Sequence, residues 1–216
     1  MRRIKAVLFD MDGVLVDATE WHYEALNKAL ALFGFTIHRH EHLSVYNGLP
    51  TSKKLEMLTV EKGLPRALHE TISQLKQHYT RIEILTQCIP SFQHEFMIRQ
   101  LKRDGYRLAV CSNAIRESVD IMLRASALLE GFDLILSNED VELPKPNPEM
   151  YLKAFERLGF QPEEAVIVED AGPGVEAAKR SGAFLLQVSG FTDVNYTLVR
   201  EFINKLQARE PATVAA

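Results

Sequence analysis

Five short apolar runs punctuate the chain, at residues 6–9, 108–111, 134–136, 165–168 and 184–188. Each is too short for a helix, and the first is rich in buried-strand residues and bounded by charge, so the set reads as strands of a covered sheet. Helical patterns lie between the later runs. Residues 92–103 are amphipathic and stop at Gly105. Asn147 reads as an N-cap with Pro148 at the first helical position of a helix ending near Gly159, and a further helix runs from about Pro173 to Ser181 before Gly182. Strands alternating with such helices form right-handed βαβ units and a parallel sheet. The predicted class is therefore α/β, with a Rossmann-like parallel-sheet core.

One interval breaks the rhythm. About a hundred residues separate the first run from the second, where a crossover needs only a few dozen. Residues 18–81 hold no convincing strand and three helical patterns: 20–32 closing at Gly34, 51–62 closing at Gly63, and 65–81. This predicts a helical cap domain over 18–81, inserted after the first strand into a core made of 1–17 and 82–208. Residues 209–216 read as a frayed tail. An insertion at that point would hang over the carboxyl ends of the strands, where α/β sheets bind ligands.

The 216 residues are 46% hydrophobic and 25% charged, with a net charge of −4. That is an ordinary globular composition, without the basic stripe of a nucleic-acid surface. No apolar run is long enough to span a bilayer. The basic start, Met1 to Lys5, leads into an apolar stretch broken at once by Asp10 and Asp12, unlike a signal peptide. Cys88 and Cys111 imply no disulfide framework, and Cys111 reads as a packing residue. The expectation is a cytoplasmic monomer without nucleic-acid or membrane partners.

Candidate chemistry starts at Asp10 and Asp12, which end the first strand. Two carboxylates so close oppose each other's ionisation, and a hard divalent cation would relieve that cost. An acidic turn is the plainer reading. Ser112-Asn113 follow the second run, Lys145 precedes the Asn147 cap, and Glu169-Asp170 follow the fourth run. Singly, these are open to plainer readings as a helix cap, a solvated lysine and another cap. Together, in a parallel sheet, they converge on one edge with Asp10 and Asp12. Four carboxylates, a lysine and a hydroxyl suit a phosphoryl group held by Mg²⁺ and a cation.

In their order along the chain, Asp10-Met11-Asp12-Gly13-Val14, Ser112-Asn113, Lys145-Pro146 and Glu169-Asp170 resemble the four motifs of the haloacid dehalogenase-like superfamily. Residues 168–178 resemble the subgroup of β-phosphoglucomutase and small sugar phosphatases, whose cap the helical insertion also resembles. The resemblance implies Asp10 as nucleophile and Asp12 as general acid/base. It implies Mg²⁺ held by the Asp10 carboxylate, the Asp12 carbonyl and Asp170, with Glu169 on a bound water. Ser112, Asn113 and Lys145 would bind phosphoryl oxygens. The second Asp favours phosphoryl transfer over dehalogenation.

In the insertion, His22 matches a histidine that orients the general acid in mutase-like relatives; the alternative is a plain surface or core histidine. Gly48 matches the specificity loop of the cap. Thr51 stands where the mutase pattern carries an arginine, and Ala18 follows Asp17 where a threonine is common. Arg81 is a candidate basic residue over the site. The expected activity is a Mg²⁺-dependent phosphatase for a small phosphorylated metabolite, a sugar phosphate above all, acting through an aspartyl phosphate. The alternative is a phosphomutase using the same intermediate. A signalling receiver shares an acidic cluster and a lysine, but its acceptor follows a later strand and it lacks the insertion. His38, His40 and His42 alternate, which on an extended segment would align three imidazoles for Zn²⁺ or Ni²⁺; a charged loop is the simpler reading.

Overall fold

The computed structural model describes residues 3–170 and 172–208, so the expected tail at 209–216 lies outside the described residues. Five strands form one parallel sheet: β1 (Ala6–Phe9), β2 (Arg107–Cys111), β3 (Leu134–Leu136), β4 (Ala165–Glu169) and β5 (Phe184–Gln187). Their order is β3-β2-β1-β4-β5. β1 pairs on both sides, with Phe9 opposite Val110 and Val168. A strand buried on both faces feeds two cores alternately, which is why these runs are continuously apolar. Val7 and Phe9 enter one core with α5 (Phe92–Arg103), α6 (Arg116–Ala125) and α9 (Tyr196–Ala208). Ala6 and Leu8 enter the other with α7 (Glu149–Leu158) and α8 (Gly172–Ser181). The chain order reverses at β1, so a crevice opens at the carboxyl ends of β1 and its neighbours.

Helix α7 starts one residue later than the pattern predicts. Its N-cap is Pro148, and Asn147, one residue earlier, accepts the Glu149 N–H on its side chain at 3.0 Å. No helix among the described residues is long and apolar enough to cross a membrane.

Between β1 and α5 lie α1 (Thr19–Ala31), a short turn α2 (Arg39–Glu41), a π-helical turn at His42–Tyr46, α3 (Thr51–Lys62) and α4 (His69–Gln87). They enclose a hydrophobic cluster of their own, built on Leu26, Leu30, Tyr46, Leu55, Leu58 and Ile72. The ends of the insertion belong to the sheet, because Ala18 and Ile84 pack into the core beneath β1.

Two expectations change here. The last helix of the insertion does not stop at Arg81 but continues to Gln87. Glu83 takes hydrogen bonds from Lys28 of α1 and from Gln87, and Ile84 is buried in the sheet core, so tertiary contacts extend the helix. The chain is therefore still helical at Arg81-Ile82, and the next non-helical segment is 88–91. The three alternating histidines are not on an extended segment either. His38 stands just before α2, His40 lies within it and His42 opens the π turn, with His38 and His40 exposed and His42 buried. Among the described residues they form no metal-binding group.

Because the insertion's cluster is separate, its stability is testable locally. Leu58→Ala, at a fully buried site, should cost about 2–5 kcal/mol through lost burial and a cavity. Hydrogen exchange should accelerate in α1, α3 and α4 while the amides of β1, β2 and β4 keep their protection.

Candidate active site

The chain leaves β1 at Asp10, whose N–H donates to the Val168 carbonyl at 3.0 Å and ties it to β4. A tight turn follows, in which Leu15 and Val16 N–H groups donate to the Met11 carbonyl at 2.9 and 3.0 Å. Gly13 sits in this turn at φ +86°, and a Cβ there would overlap the Asp170 carboxylate. On the facing helix α8, a Cβ at Gly174 would overlap the Glu169 carboxylate. The two glycines thus leave the room that two carboxylates occupy.

Oxygens of Asp10, Glu169 and Asp170 lie within 4.8 Å of one another. Lys145 Nζ donates to Asp10 Oδ1 at 2.7 Å and to Glu169 Oε1 at 2.6 Å. Tyr151 Oη donates to the same Glu169 oxygen at 2.9 Å, and the Lys145 ammonium stands 4.9 Å from the Tyr151 ring centroid. Lys145 is 3% exposed and Glu169 1%. Burial, then the Glu169 charge, push the Asp10 carboxyl well above the ordinary carboxylate range, and Lys145 opposes this only in part. For Lys145, burial favours the neutral amine, but Asp10 and Glu169 more than reverse that and hold it as an ammonium. One lysine does not satisfy three converging carboxylates. A hard divalent cation suits this all-oxygen set, whereas Zn²⁺ would favour nitrogen and sulfur donors.

Asp12 behaves oppositely. Its carboxylate is not in the three-residue cluster. Asp12 Oδ1 instead lies 3.0 Å from His22 Nε2, and Lys76 Nζ lies 3.1 Å from His22 Nδ1. An ammonium can only donate, so Lys76 assigns the ring proton to Nε2, which donates to Asp12. Burial raises the Asp12 pKa, but His22, Lys76 and Lys54 outweigh it and hold the carboxyl below its usual range. Burial pushes Lys76 down to about 8. Burial, with Lys76 next, pushes Lys54 down to about 7.

A cleft of about 250 Å³ separates the strand ends from the insertion, and Asp10, Asp12, Asn113, Lys145 and Glu169 line one side. His22, Gly48, Thr51, Lys54 and Lys76 line the other. Asn113 joins the two: its side-chain amide donates to the Gly48 carbonyl at 3.0 Å and the Lys145 carbonyl at 3.1 Å, and its Oδ1 accepts the Lys145 N–H at 3.0 Å. Its side chain is thus engaged in positioning the loops.

Two expected site residues stand apart. Ser112 is fully buried and does not line the cleft; its hydroxyl accepts the Ala114 N–H at 3.0 Å in the turn before α6, whose N-cap is Ile115, so it does not cap that helix. Arg81 is exposed, pairs with Glu117 at 3.1 Å and is absent from the cleft, because α4 carries it round to the α6 side. Three contributors were not anticipated: Lys54, Lys76 and Tyr151. A signal for the lysines exists. Lys54 shares a helical stripe with Leu55 and Leu58, and Lys76 one with Ile72 and Thr80. A lysine on an apolar stripe is out of place unless it faces a polar cavity.

A family model described as haloacid dehalogenase-like hydrolase matches residues 7–188. The chain is 30% identical over 194 residues to a phosphoglycolate phosphatase of Aquifex aeolicus, covering 89% of this chain and 88% of that one. It is 28% identical over 200 residues to the pyrophosphatase PpaX of Bacillus cereus, covering 87% and 84%. Among solved structures, β-phosphoglucomutase of Clostridium difficile superposes with a TM-score of 0.82 at 20% identity, over 95% of this chain and 100% of that one. CbbY of Rhodobacter sphaeroides in complex with phosphate gives 0.79 at 28% identity, over 87% of each. With the motif loops gathered at one sheet edge and the family match running from β1 past β5, the chain belongs to the haloacid dehalogenase-like hydrolases.

Proposed function

We propose that this hydrolase is a Mg²⁺-dependent phosphatase of a small phosphorylated metabolite, with sugar phosphates the leading class. The observation that carries the reading is the buried Lys145–Asp10 pair, set beside Glu169 and Asp170 and across from Asp12. Mg²⁺ would be held by Asp10, Asp170 and the Asp12 carbonyl, with Glu169 behind, and would offset the crowded negative charge. Asp10 attacks phosphorus, the ester P–O bond breaks, and an aspartyl phosphate forms. Asp12 gives a proton to the departing oxygen. Water then attacks the phosphoryl group, Asp12 takes its proton, and inorganic phosphate leaves. Lys145 holds a phosphoryl oxygen through both steps.

His22 and Lys76 hold Asp12 as the carboxylate, the form that serves the hydrolytic half. To act as acid in the first half, Asp12 must take up a proton and loosen this contact. We read residues from 18 into α4 as a cap over a core formed by the remaining chain, with its far connection at 88–91. The hydrogen bond from Asn113 to Gly48 supports a closed arrangement that keeps bulk water from Asp10. Thr51, uncharged where a mutase carries arginine, favours hydrolysis over phosphoryl return. Release of free phosphate, without a bisphosphate primer, distinguishes the two.

Three outcomes test the reading. Asp10→Asn should abolish phosphate release with an unchanged circular dichroism spectrum. The loss should exceed the roughly 10²–10⁴-fold typical of an acid/base group, since the covalent step disappears; kinetics within a few-fold of wild type would remove Asp10 from this role. Chelation with EDTA should stop turnover, Mg²⁺ should restore it, and Ca²⁺ should not, because its larger and less regular oxygen shell misplaces the attacking carboxylate. Arg81→Ala, which breaks only an exposed ion pair, should leave kcat/KM within about twofold.

A further inference from the structure

Tyr151 carries a hydroxyl into apolar company. It is fully buried on α7, in the core cluster that Ala6 and Leu8 enter from the sheet, among aliphatic side chains, Cys111, Met150 and Phe155. Phenylalanine would fill that place equally well, and a buried hydroxyl without a partner is costly. The partner is Glu169, whose Oε1 accepts the hydroxyl at 2.9 Å and the Lys145 ammonium at 2.6 Å. The two donors are not equivalent. Lys145 also donates to Asp10, and in the proposed reaction it holds a phosphoryl oxygen. Tyr151 Oη, among the described residues, bonds to Glu169 alone. The other oxygen of the carboxylate, Oε2, accepts the Asp170 N–H at 3.0 Å. Glu169 also abuts Gly174, where a Cβ would overlap it. The orientation of Glu169 is thus carried directly to the backbone of Asp170, which completes the acidic cluster with Asp10.

We propose that Tyr151 is a positioning residue for the divalent cation: its hydroxyl fixes the Glu169 carboxylate, and through it the Asp170 backbone, in the arrangement that receives Mg²⁺. This inference rests on the metal-dependent phosphatase reading and deepens it. Groups hydrogen-bonded behind a metal's ligands orient them, and losing one typically weakens metal binding about 10–100-fold. Without the hydroxyl, the placement of Oε1 would fall to Lys145, an ammonium shared with Asp10 and with the substrate. The hydroxyl therefore separates two duties: Tyr151 holds Glu169 for the cation, and Lys145 serves the phosphoryl group. The ring contributes separately, since the Lys145 ammonium stands 4.9 Å from its centroid. Phenylalanine would keep that contact and lose only the hydrogen bond.

The test reads metal binding directly, apart from turnover. Mg²⁺ alone is titrated by calorimetry into the full-length, chelator-stripped protein. Tyr151→Phe should weaken Mg²⁺ binding by about 10-fold, the lower end of the range for a group behind a metal ligand. In turnover, the same variant should recover most of the wild-type kcat as Mg²⁺ is raised, because the defect lies in holding the cation. Phe155→Leu is the control for packing: it lies one turn further along α7 in the same cluster and removes no polar group. It should leave the Mg²⁺ affinity unchanged. A melting temperature lowered in both variants does not separate the two roles, whereas the affinity does. Unchanged Mg²⁺ affinity in Tyr151→Phe, or an equal weakening in Phe155→Leu, would reduce Tyr151 to packing and overturn the proposal. A wild-type protein that binds no Mg²⁺ would overturn the metal reading and the proposal with it. Mg²⁺ binding that Tyr151→Phe weakens, in a wild-type protein that releases no phosphate, would instead refute the phosphatase reading and leave the role of Tyr151 standing.

Discussion

The arrangement turns on one buried ammonium. Lys145 bridges Asp10 at the end of β1 and Glu169 at the end of β4, and both contacts are buried. Removing either partner of such a buried pair typically costs about 3–5 kcal/mol, because the other charge is left unsolvated. Much of the local sequence serves to hold it. Asn113 clamps the Lys145 backbone through both N–H and C=O, Tyr151 closes Glu169 from below, and Gly13 and Gly174 make space for the carboxylates. These contacts fix three separate loops relative to one another, which a surface lysine could not do. Even so, the ammonium does not cancel the clustered negative charge, and the remainder would suit a hard divalent cation.

Asp10 and Asp12 are two residues apart and meet opposite fields. Asp10 faces Glu169 and Asp170, and its carboxyl is pushed up. Asp12 faces His22, Lys76 and Lys54, and its carboxyl is held down. Environments that separate two neighbouring acids are the usual means of giving them different tasks. All three residues acting on Asp12 come from the insertion. The insertion is therefore part of the electrostatics of the reaction centre, beyond any role as a cover.

What could be read from the chain follows from where the determinants lie. The strands are legible because each is buried on both faces and so reads as an unbroken apolar run, and each boundary lands within a residue of expectation. The core motif residues are legible because they sit at strand ends, where a parallel sheet brings distant sequence together. The insertion is less so. Its helices show their periodicity, but which side chain reaches the cleft depends on helix packing. The extension of α4 to Gln87 depends on Lys28, Glu83 and Ile84, contacts that span 55 residues or cross into another cluster. Without that extension the sequence pattern points to Arg81 and not to Lys76, five residues earlier. Ser112 illustrates the converse. It lies in the expected motif, yet its hydroxyl is turned to the backbone of the following turn.

The course of α4 also constrains how the two halves can move against each other. Ile72 lies in the cluster of the insertion and Ile84 in the core under the sheet, so one continuous helix joins both. No bend is available near Arg81 without breaking the hydrogen bonds of α4, so any relative motion would have to pivot at 88–91 and beside Ala18. Lys76 lies eleven residues before Gln87, which is about 16 Å along the helix at 1.5 Å per residue. A swing of about 10° at that pivot would then carry Lys76 by about 3 Å relative to Asp12. The same swing would weaken the field that holds Asp12 as a carboxylate.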